Sequence, residues 1–259
     1  MVTPLVHKVF SLVVFLYDLT EMIVRAFRNA FSELSHGRRP VFSVYLRQVY
    51  FTGLEASRIV LLTAVIIGTV VVAKIVGIAG EGSGTLSGRV MIWIVIRELG
   101  PLLTAIIIIA RSGTAIAAEL SQMKIGGETD YLESMGIPVA KYLIMPRIFG
   151  VATAMLILTI YFDCAALLGG FGVVSLFRNL SWEQYTQGLF AALTLTEIAA
   201  SLVKCVLTGL TIGATCCMQG LSVEKSVTQI PVAATKAVMY SLFFLFTFEG
   251  LASLIFLLF

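Results

Sequence analysis

Charged residues are scarce in this sequence. Asp, Glu, Lys and Arg together make up 13% of the 259 residues, whereas hydrophobic residues make up 58%. A soluble globular domain carries about 25% charged residues, and a chain as apolar as this one has too few polar side chains to cover a water-soluble fold. The scarcity of charge excludes a soluble enzyme, a disordered tail and a disulfide-rich secreted module. It indicates an integral membrane protein.

Histidine and cysteine are also scarce, and catalytic motifs are missing. The two histidines, His7 and His36, lie in the N-terminal segment. The sequence contains no H-E-x-x-H, no G-x-S-x-G and no phosphate-binding G-x-x-x-x-G-K-[ST] pattern. The four cysteines lie in apolar stretches without a C-x-x-C spacing, which is typical of core residues: Cys164, Cys205, Cys216 and Cys217. We therefore expect no catalytic residue, metal site or cofactor in this chain, and the net charge of +3 is too small to indicate nucleic-acid binding.

The first forty residues predict an amphipathic helix that lies in the membrane interface. Between Val6 and Leu34, polar residues recur mostly at spacings of three and four, and apolar residues cover the rest of the helix surface. A narrow charged stripe beside a broad apolar face is typical of interfacial helices. His36-Gly37 and Pro40 predict the end of this helix and the start of the next. We therefore separate residues 1–40 from the rest of the chain.

Residues 41–259 contain five longer apolar stretches. A spanning helix needs about 20 predominantly apolar residues, and each stretch reaches that length. They run roughly over residues 51–76, 90–120, 148–177, 197–218 and 237–259. The second is longer than the hydrocarbon core is thick, so we expect it to tilt, to kink at Pro101 or to project past the membrane. The predicted fold is an all-α membrane protein with one interfacial helix and five spans.

The distribution of basic residues predicts the orientation of these spans. Most of the 18 Lys and Arg residues precede the first span or lie in the connections after the second and fourth spans. The other two connections contain only Lys74, Arg89 and Arg178. Because Lys and Arg accumulate on the cytoplasmic side, the N-terminus is predicted to be cytoplasmic and the C-terminus periplasmic.

Five ionisable residues lie within the predicted spans. Arg97 and Glu98 belong to the second, Asp163 to the third, Lys204 to the fourth and Glu249 to the fifth. Each would cost about 2.5–3.5 kcal/mol if it faced lipid at mid-depth, so we expect these side chains to face protein or a wet cavity. Adjacent residues point about 100° apart on an α-helix, which argues against a pair between Arg97 and Glu98. Either Glu98 or Glu249 is expected to pair with Lys204, as a buried pair that holds helix register or as part of a substrate cavity.

Small residues predict where helices pack closely. Gly209 and Gly213 form a G-x-x-x-G pattern in the fourth span, and Ala110, Thr114 and Ala118 line one side of the second. Such faces allow close approach of helices, within one chain or between two.

The connection between the second and third spans predicts a short helix near residues 128–136. Gly126-Gly127 ends the preceding helix, Asp130 and Glu133 have the spacing of a capping box, and Gly136 with Pro138 ends the new one. This helix would be presented to the cytoplasm. It is either a plain connector or a docking site for a cytosolic partner.

Several motifs follow one another along the second span and the connection after it. They are Arg97-Glu-Leu-Gly-Pro101, the Ala110–Glu119 segment, Met123, Glu128, Tyr131-Leu-Glu-Ser-Met135 and Pro146-Arg147. Their order and spacing resemble the MlaE/YrbE family of ABC-transporter permeases. The predicted layout of one interfacial helix and five spans is also similar to that family.

The resemblance implies a homodimeric, multi-pass permease of the bacterial inner membrane. Such a permease moves phospholipid between that membrane and a periplasmic MCE lipid-binding protein. A separate cytosolic ATPase, which binds ATP and Mg, drives it, often with a STAS-domain accessory subunit. The permease itself is not an enzyme.

The resemblance also assigns candidate residues. Residues bordering a lipid cavity and its polar network would be Arg97, Glu98, Leu99, Leu102, Lys204 and Glu249. Residues of the coupling helix in the ATPase cleft would be Glu128, Thr129, Asp130, Tyr131, Leu132 and Met135. Three positions depart from the family pattern: Thr129 replaces Gln, Thr208 replaces a basic residue while Lys204 lies one turn earlier, and Glu249 replaces Asp.

Two other functions stay open on the residues alone. One is a self-sufficient ion-coupled carrier with Glu98, Lys204 and Glu249 as a relay, and the other is a non-transporting assembly subunit. Carriers are often built from inverted repeats. Five spans do not divide into equal inverted halves, which disfavours the carrier.

Overall fold

Helices account for nearly all of the described chain. The computed structural model describes residues 3–31, 38–80, 83–178, 180–224 and 226–258. Within these ranges, five helices are long and apolar enough to cross a membrane, which confirms the predicted all-α membrane architecture. We call them the first to fifth spans: Pro40–Ala79, Gly84–Ile125, Ala140–Ser175, Leu195–Leu221 and Gln229–Leu254. The orientation of the termini stays a prediction.

The N-terminal helix runs over Thr3–Phe31 and packs on the outside of the bundle. Phe15 stacks on Tyr240 and Phe244 of the fifth span, with ring centroids 4.8 and 5.5 Å apart. Phe27 meets Phe149 of the third span edge to face at 5.0 Å. The predicted end of this helix at His36-Gly37 lies outside the described residues.

The third span occupies the centre of the bundle and packs most extensively against the first and fourth spans. Close approach to the first span depends on Gly68 and Gly170, because a Cβ on Gly170 would lie 2.6 Å from the Gly68 backbone. The predicted G-x-x-x-G face packs against the same span on its other side. A Cβ on Gly209 would lie 2.6 Å from the Cα of Ala152, and one on Gly213 would lie 2.9 Å from the Cα of Ile148. This small-residue face therefore joins helices within one chain.

A short helix over Trp182–Ala192 lies between the third and fourth spans and packs against the start of the second. A Cβ on Gly188 would overlap the backbone of Thr85, so the two helices touch backbone to backbone. Burial raises the pKa of Tyr185. Its hydroxyl therefore stays protonated and donates to the Leu167 carbonyl at 3.1 Å.

The second span is not a regular α-helix. Residues Ile92–Leu99 form a π-helical segment that ends two residues before Pro101. The Gly100 N–H donates to the Val95 carbonyl, five residues back, instead of the α-helical partner four residues back. The sequence predicts only a kink at Pro101. Proline has no N–H and its ring crowds the preceding turn, and the structure accommodates both effects by widening that turn.

The glycine packing yields a stability prediction. Gly209→Ala places a Cβ against the Ala152 backbone, so we expect a loss of about 1–3 kcal/mol in the free energy of unfolding. Gly172→Ala is the matched control, since its Cβ would meet no atom within 4 Å and alanine favours the helix. Thermal unfolding of both variants in detergent measures the difference. Equal melting temperatures would show that the fourth span can move away from the third without cost.

Candidate functional site

Lys204 of the fourth span lies at the centre of a buried polar cluster. Its side chain is 6% exposed, and its Nζ lies 2.6 Å from Glu249 Oε2 and 3.3 Å from Glu98 Oε2. The same ammonium donates to the Arg97 carbonyl at 3.0 Å. An ammonium has three N–H donors; the Arg97 carbonyl and Glu98 Oε2 each accept one, and Glu249 faces the ammonium as an ion pair. Both acids that the sequence nominates as partners of Lys204 are therefore beside it.

The π-helical segment explains why Lys204 bonds a backbone carbonyl. Pro101 has no N–H to give to the Arg97 carbonyl. In an α-helix the Ile96 carbonyl would accept from the Gly100 N–H, but that N–H donates to the Val95 carbonyl instead. The next possible donor for Ile96 would be residue 101, which is again the proline. The fourth span supplies donors to both carbonyls: Lys204 to Arg97 and the Ser201 hydroxyl to Ile96, at 3.2 Å.

Arg97 pairs with two carboxylates, and one of these pairs corrects the sequence analysis. Its Nε lies 3.5 Å from Glu98 Oε1, although adjacent residues were expected to point too far apart to meet. The wider turn of a π-helix rotates successive residues by less than an α-helix does, and both side chains are long enough to close the remaining gap. Arg97 Nη1 also lies 3.5 Å from Glu197 Oε1.

Glu197 is a member of the cluster that sequence reasoning missed. It lies in the first turn of the fourth span, where the Thr194 hydroxyl accepts a hydrogen bond from its N–H at 3.4 Å. A carboxylate in the first turn of a helix is common and interacts favourably with the helix dipole, so the position of Glu197 alone does not indicate a functional residue. Its spacing of seven residues from Lys204 places both on one helix face, and that spacing could have identified it.

Three further polar groups border the cluster. The Ser253 hydroxyl of the fifth span donates to Glu98 Oε2 at 3.0 Å. Asp163 lies beside Gly100, where any Cβ would overlap its Oδ1, and that oxygen is buried without a hydrogen-bond partner among the described residues. The buried Thr208 hydroxyl likewise has no partner there. Thr208, where the family pattern has a basic residue, therefore contributes no charge to the cluster. Lys204, one turn earlier, pairs with the two acids instead.

The cluster has a buried half and a half-exposed half. Lys204 and Glu249 are almost fully enclosed, whereas the side chains of Glu98 and Arg97 are 34% and 26% exposed. Leu99 and Leu102, the predicted cavity wall, are half-buried on the same helix. The arrangement places an accessible cation and an accessible carboxylate on the surface of a bundle that is otherwise mostly apolar.

The predicted coupling helix runs over Glu128–Ser134, and its first residue follows Gly127 in a left-handed conformation. Lys124 lies 3.0 Å from Asp130 and ties the start of the helix to the second span. Six residues were predicted to contact a partner, and the structure divides them. Those that are exposed are Glu128, Asp130, Tyr131 and Met135. Thr129 is buried, and Leu132 is half-buried and packs against the core.

Comparison with known proteins is consistent with these features. The chain is 28% identical over 200 residues to a probable ABC transporter permease of Rickettsia typhi, covering 77% of each chain. It is 28% identical over 153 residues to the intermembrane phospholipid transport system permease protein MlaE of Haemophilus influenzae, covering 59% of this chain and 57% of that one. It is also 26% identical over 198 residues to the chloroplastic protein TRIGALACTOSYLDIACYLGLYCEROL 1 of Arabidopsis thaliana, covering 76% and 57%.

The model of the family described as Permease MlaE matches residues 45–255. This range includes every member of the polar cluster and all five spans, apart from the first few residues of the first span. The chain therefore belongs to the MlaE permease family, as the motifs indicated.

Proposed function

We propose that this chain is the membrane subunit of an ATP-driven transporter that moves phospholipid between the bacterial inner membrane and a periplasmic MCE protein. The observation that carries the proposal is the half-exposed pair of Arg97 and Glu98 on an apolar bundle. A phospholipid has apolar tails and a charged head, so its site needs apolar walls interrupted by a few polar groups. The name of the Haemophilus influenzae relative supports a phospholipid as the substrate.

The two halves of the cluster have different roles in this proposal. Arg97 meets the lipid phosphate, because a guanidinium can donate two parallel hydrogen bonds to phosphate oxygens. Leu99 and Leu102 contact the first part of the acyl chains. Lys204 and Glu249 join the second, fourth and fifth spans and hold Glu98 in place.

The transporter is proposed to contain two copies of this chain and several partners. One bundle provides one polar cluster, and two-fold assembly is the commonest way to complete a shared cavity. The cytosolic ATPase carries ATP and Mg and docks on the Glu128–Ser134 helix, with a STAS-domain subunit as a further partner. The MCE protein binds at the opposite end of the bundle. Membership of an ABC permease family favours this function over a self-sufficient ion-coupled carrier.

Transport and folding should respond differently to substitutions in the two halves of the cluster. We expect Arg97→Ala and Glu98→Gln to reach normal membrane levels and bind the ATPase, while lipid transfer falls about tenfold or more through the loss of a charge-assisted contact. Lys204→Met leaves the buried Glu249 carboxylate without its counter-charge, and breaking such a buried pair costs about 3–5 kcal/mol, so we expect this variant to lose folded protein. Transfer of fluorescent phospholipid from proteoliposomes and fluorescence-detected gel filtration measure the two effects. Loss of folded protein in Arg97→Ala as well would reassign the whole cluster to folding.

Attachment of the ATPase should depend on the exposed apolar residues of the Glu128–Ser134 helix and its end. Tyr131 is 65% exposed and Met135 is also exposed. We expect Tyr131→Ala to weaken co-purification of the ATPase about tenfold, as for an interface residue worth 1–2 kcal/mol. Phe190→Ala is the matched control, since Phe190 is an exposed aromatic residue on the Trp182–Ala192 helix at the other end of the bundle. Equal ATPase retention in both variants would contradict docking at this helix.

The number of copies can be measured directly. We expect native mass spectrometry of the purified complex to show two copies of this chain, because one bundle supplies only half of the proposed cavity. A complex with a single copy that still transfers lipid would refute the shared cavity.

A further inference from the structure

A second candidate binding site lies at the end of the bundle that carries the Glu128–Ser134 helix. A cavity of about 430 Å³ opens between the start of the first span, the end of the second and the start of the third. Pockets for small ligands commonly have volumes of about 300–1,000 Å³. None of the residues that line this cavity belongs to the polar cluster around Lys204.

Arg147 is the main polar group of this cavity. Its side chain is 5% exposed, and one nitrogen, Nη2, lies 3.0 Å from Glu119 Oε1 and 4.0 Å from the Met123 sulfur. The other terminal nitrogen, Nη1, is buried without a hydrogen-bond partner among the described residues. A buried donor without an acceptor is costly, and more so when it is charged. The described residues therefore provide no acceptor for this edge of the guanidinium.

The rest of the lining gives the class of that acceptor. Arg47 is exposed and adds a second positive charge, whereas Glu119 is the one carboxylate among the lining residues. Its side chain is 61% exposed, so solvent weakens its effect on the buried guanidinium. Apart from Gln48 and Tyr142, the remaining lining residues are apolar and include Val44, Phe51 and Ile116. An anionic group attached to an apolar chain fits both parts of this lining.

We propose that this cavity binds the phosphate of an anionic phospholipid from the adjacent leaflet, with Arg147 and Arg47 as its ligands. The cavity is large enough for a head group and the first part of an acyl chain, and the remaining chain lies along the spans. Free phosphate shares the anionic chemistry, but the apolar wall favours the lipid. Glu119 and Arg97 are 22 residues apart on the second span, which is on the order of 30 Å along a helix. This lipid is therefore separate from the transported one, and the site does not depend on the proposed function.

Native mass spectrometry of the detergent-purified chain tests the site, with phosphatidylglycerol, phosphatidylcholine or inorganic phosphate added in turn. The wild type should retain phosphatidylglycerol at least threefold more than phosphatidylcholine. Arg47→Gln should reduce that retention about threefold or more, and Arg147→Gln should abolish it. Because Arg147 is buried and its variant can fail to fold, Arg47→Gln decides the test. Arg58→Gln is the matched control, an exposed arginine of the same span that does not line the cavity.

Five results would overturn the proposal. They are equal retention of the two lipids, equal loss in Arg47→Gln and Arg58→Gln, and binding of inorganic phosphate without lipid preference. The fourth is unchanged lipid retention in Arg47→Gln together with weaker co-purification of the ATPase from cells, which would assign the cavity to a partner protein. Measuring each variant in the Arg97→Ala background separates this site from the proposed transport cavity, since the phosphatidylglycerol still retained there should fall when Arg47 is changed to Gln. Loss of the lipid in Arg97→Ala but not in Arg47→Gln would place the bound lipid at the polar cluster.

Discussion

The carbonyls of Ile96 and Arg97 are the constraint on which the polar cluster depends. In a bilayer, an unpaired backbone carbonyl costs several kcal/mol. Pro101 has no N–H, so the turn that would otherwise bond these two carbonyls lacks a donor. The fourth span replaces it with Ser201 and Lys204, one turn apart on the same face. The ammonium that serves the backbone then needs counter-charges, and Glu98 and Glu249 provide them from two other spans. One proline thus accounts for the position of a cation and two carboxylates.

A second π-helical segment uses the same arrangement nearer the other end of the bundle. Residues Tyr50–Leu54 of the first span are π-helical, and Arg111 of the second span donates to the Phe51 carbonyl at 2.8 Å. The same guanidinium pairs with Glu55 and lies over the Phe51 ring, 5.0 Å from its centroid. In both places a basic side chain joins two spans by bonding a carbonyl of the irregular segment and a neighbouring carboxylate. In the second span, the cost of the ion is offset by a backbone group that would otherwise lack a donor.

The sequence was sufficient to predict the parts of the fold that depend on composition and local pattern. Five spans, the short helix after Gly127 and the close packing at Gly209 and Gly213 all followed from apolar length, capping residues and small-residue spacing. The pair of Arg97 with Glu98 did not, because the 100° rule assumes an α-helix and the π-helical turn is set by Pro101 and the fourth span together. The pairing of Glu197 with Arg97 and the packing of Leu132 against the core depend on contacts between distant segments. Residue spacing within one helix does not reveal such contacts.

The distances within the cluster indicate which of its ions can exchange partners during transport. Lys204 lies 2.6 Å from Glu249 in a fully enclosed setting, so separating them would leave a buried charge unpaired. Arg97 lies 3.5 Å from both Glu98 and Glu197, longer than the 2.7–2.9 Å of a strong charge-assisted bond. In the proposed function, a lipid phosphate would form shorter bonds to Arg97 than these two carboxylates do, and both Arg97 and Glu98 are accessible to water. The half-exposed ions are therefore suited to binding and release. The buried pair beside them keeps the three spans together while the partners of these ions change.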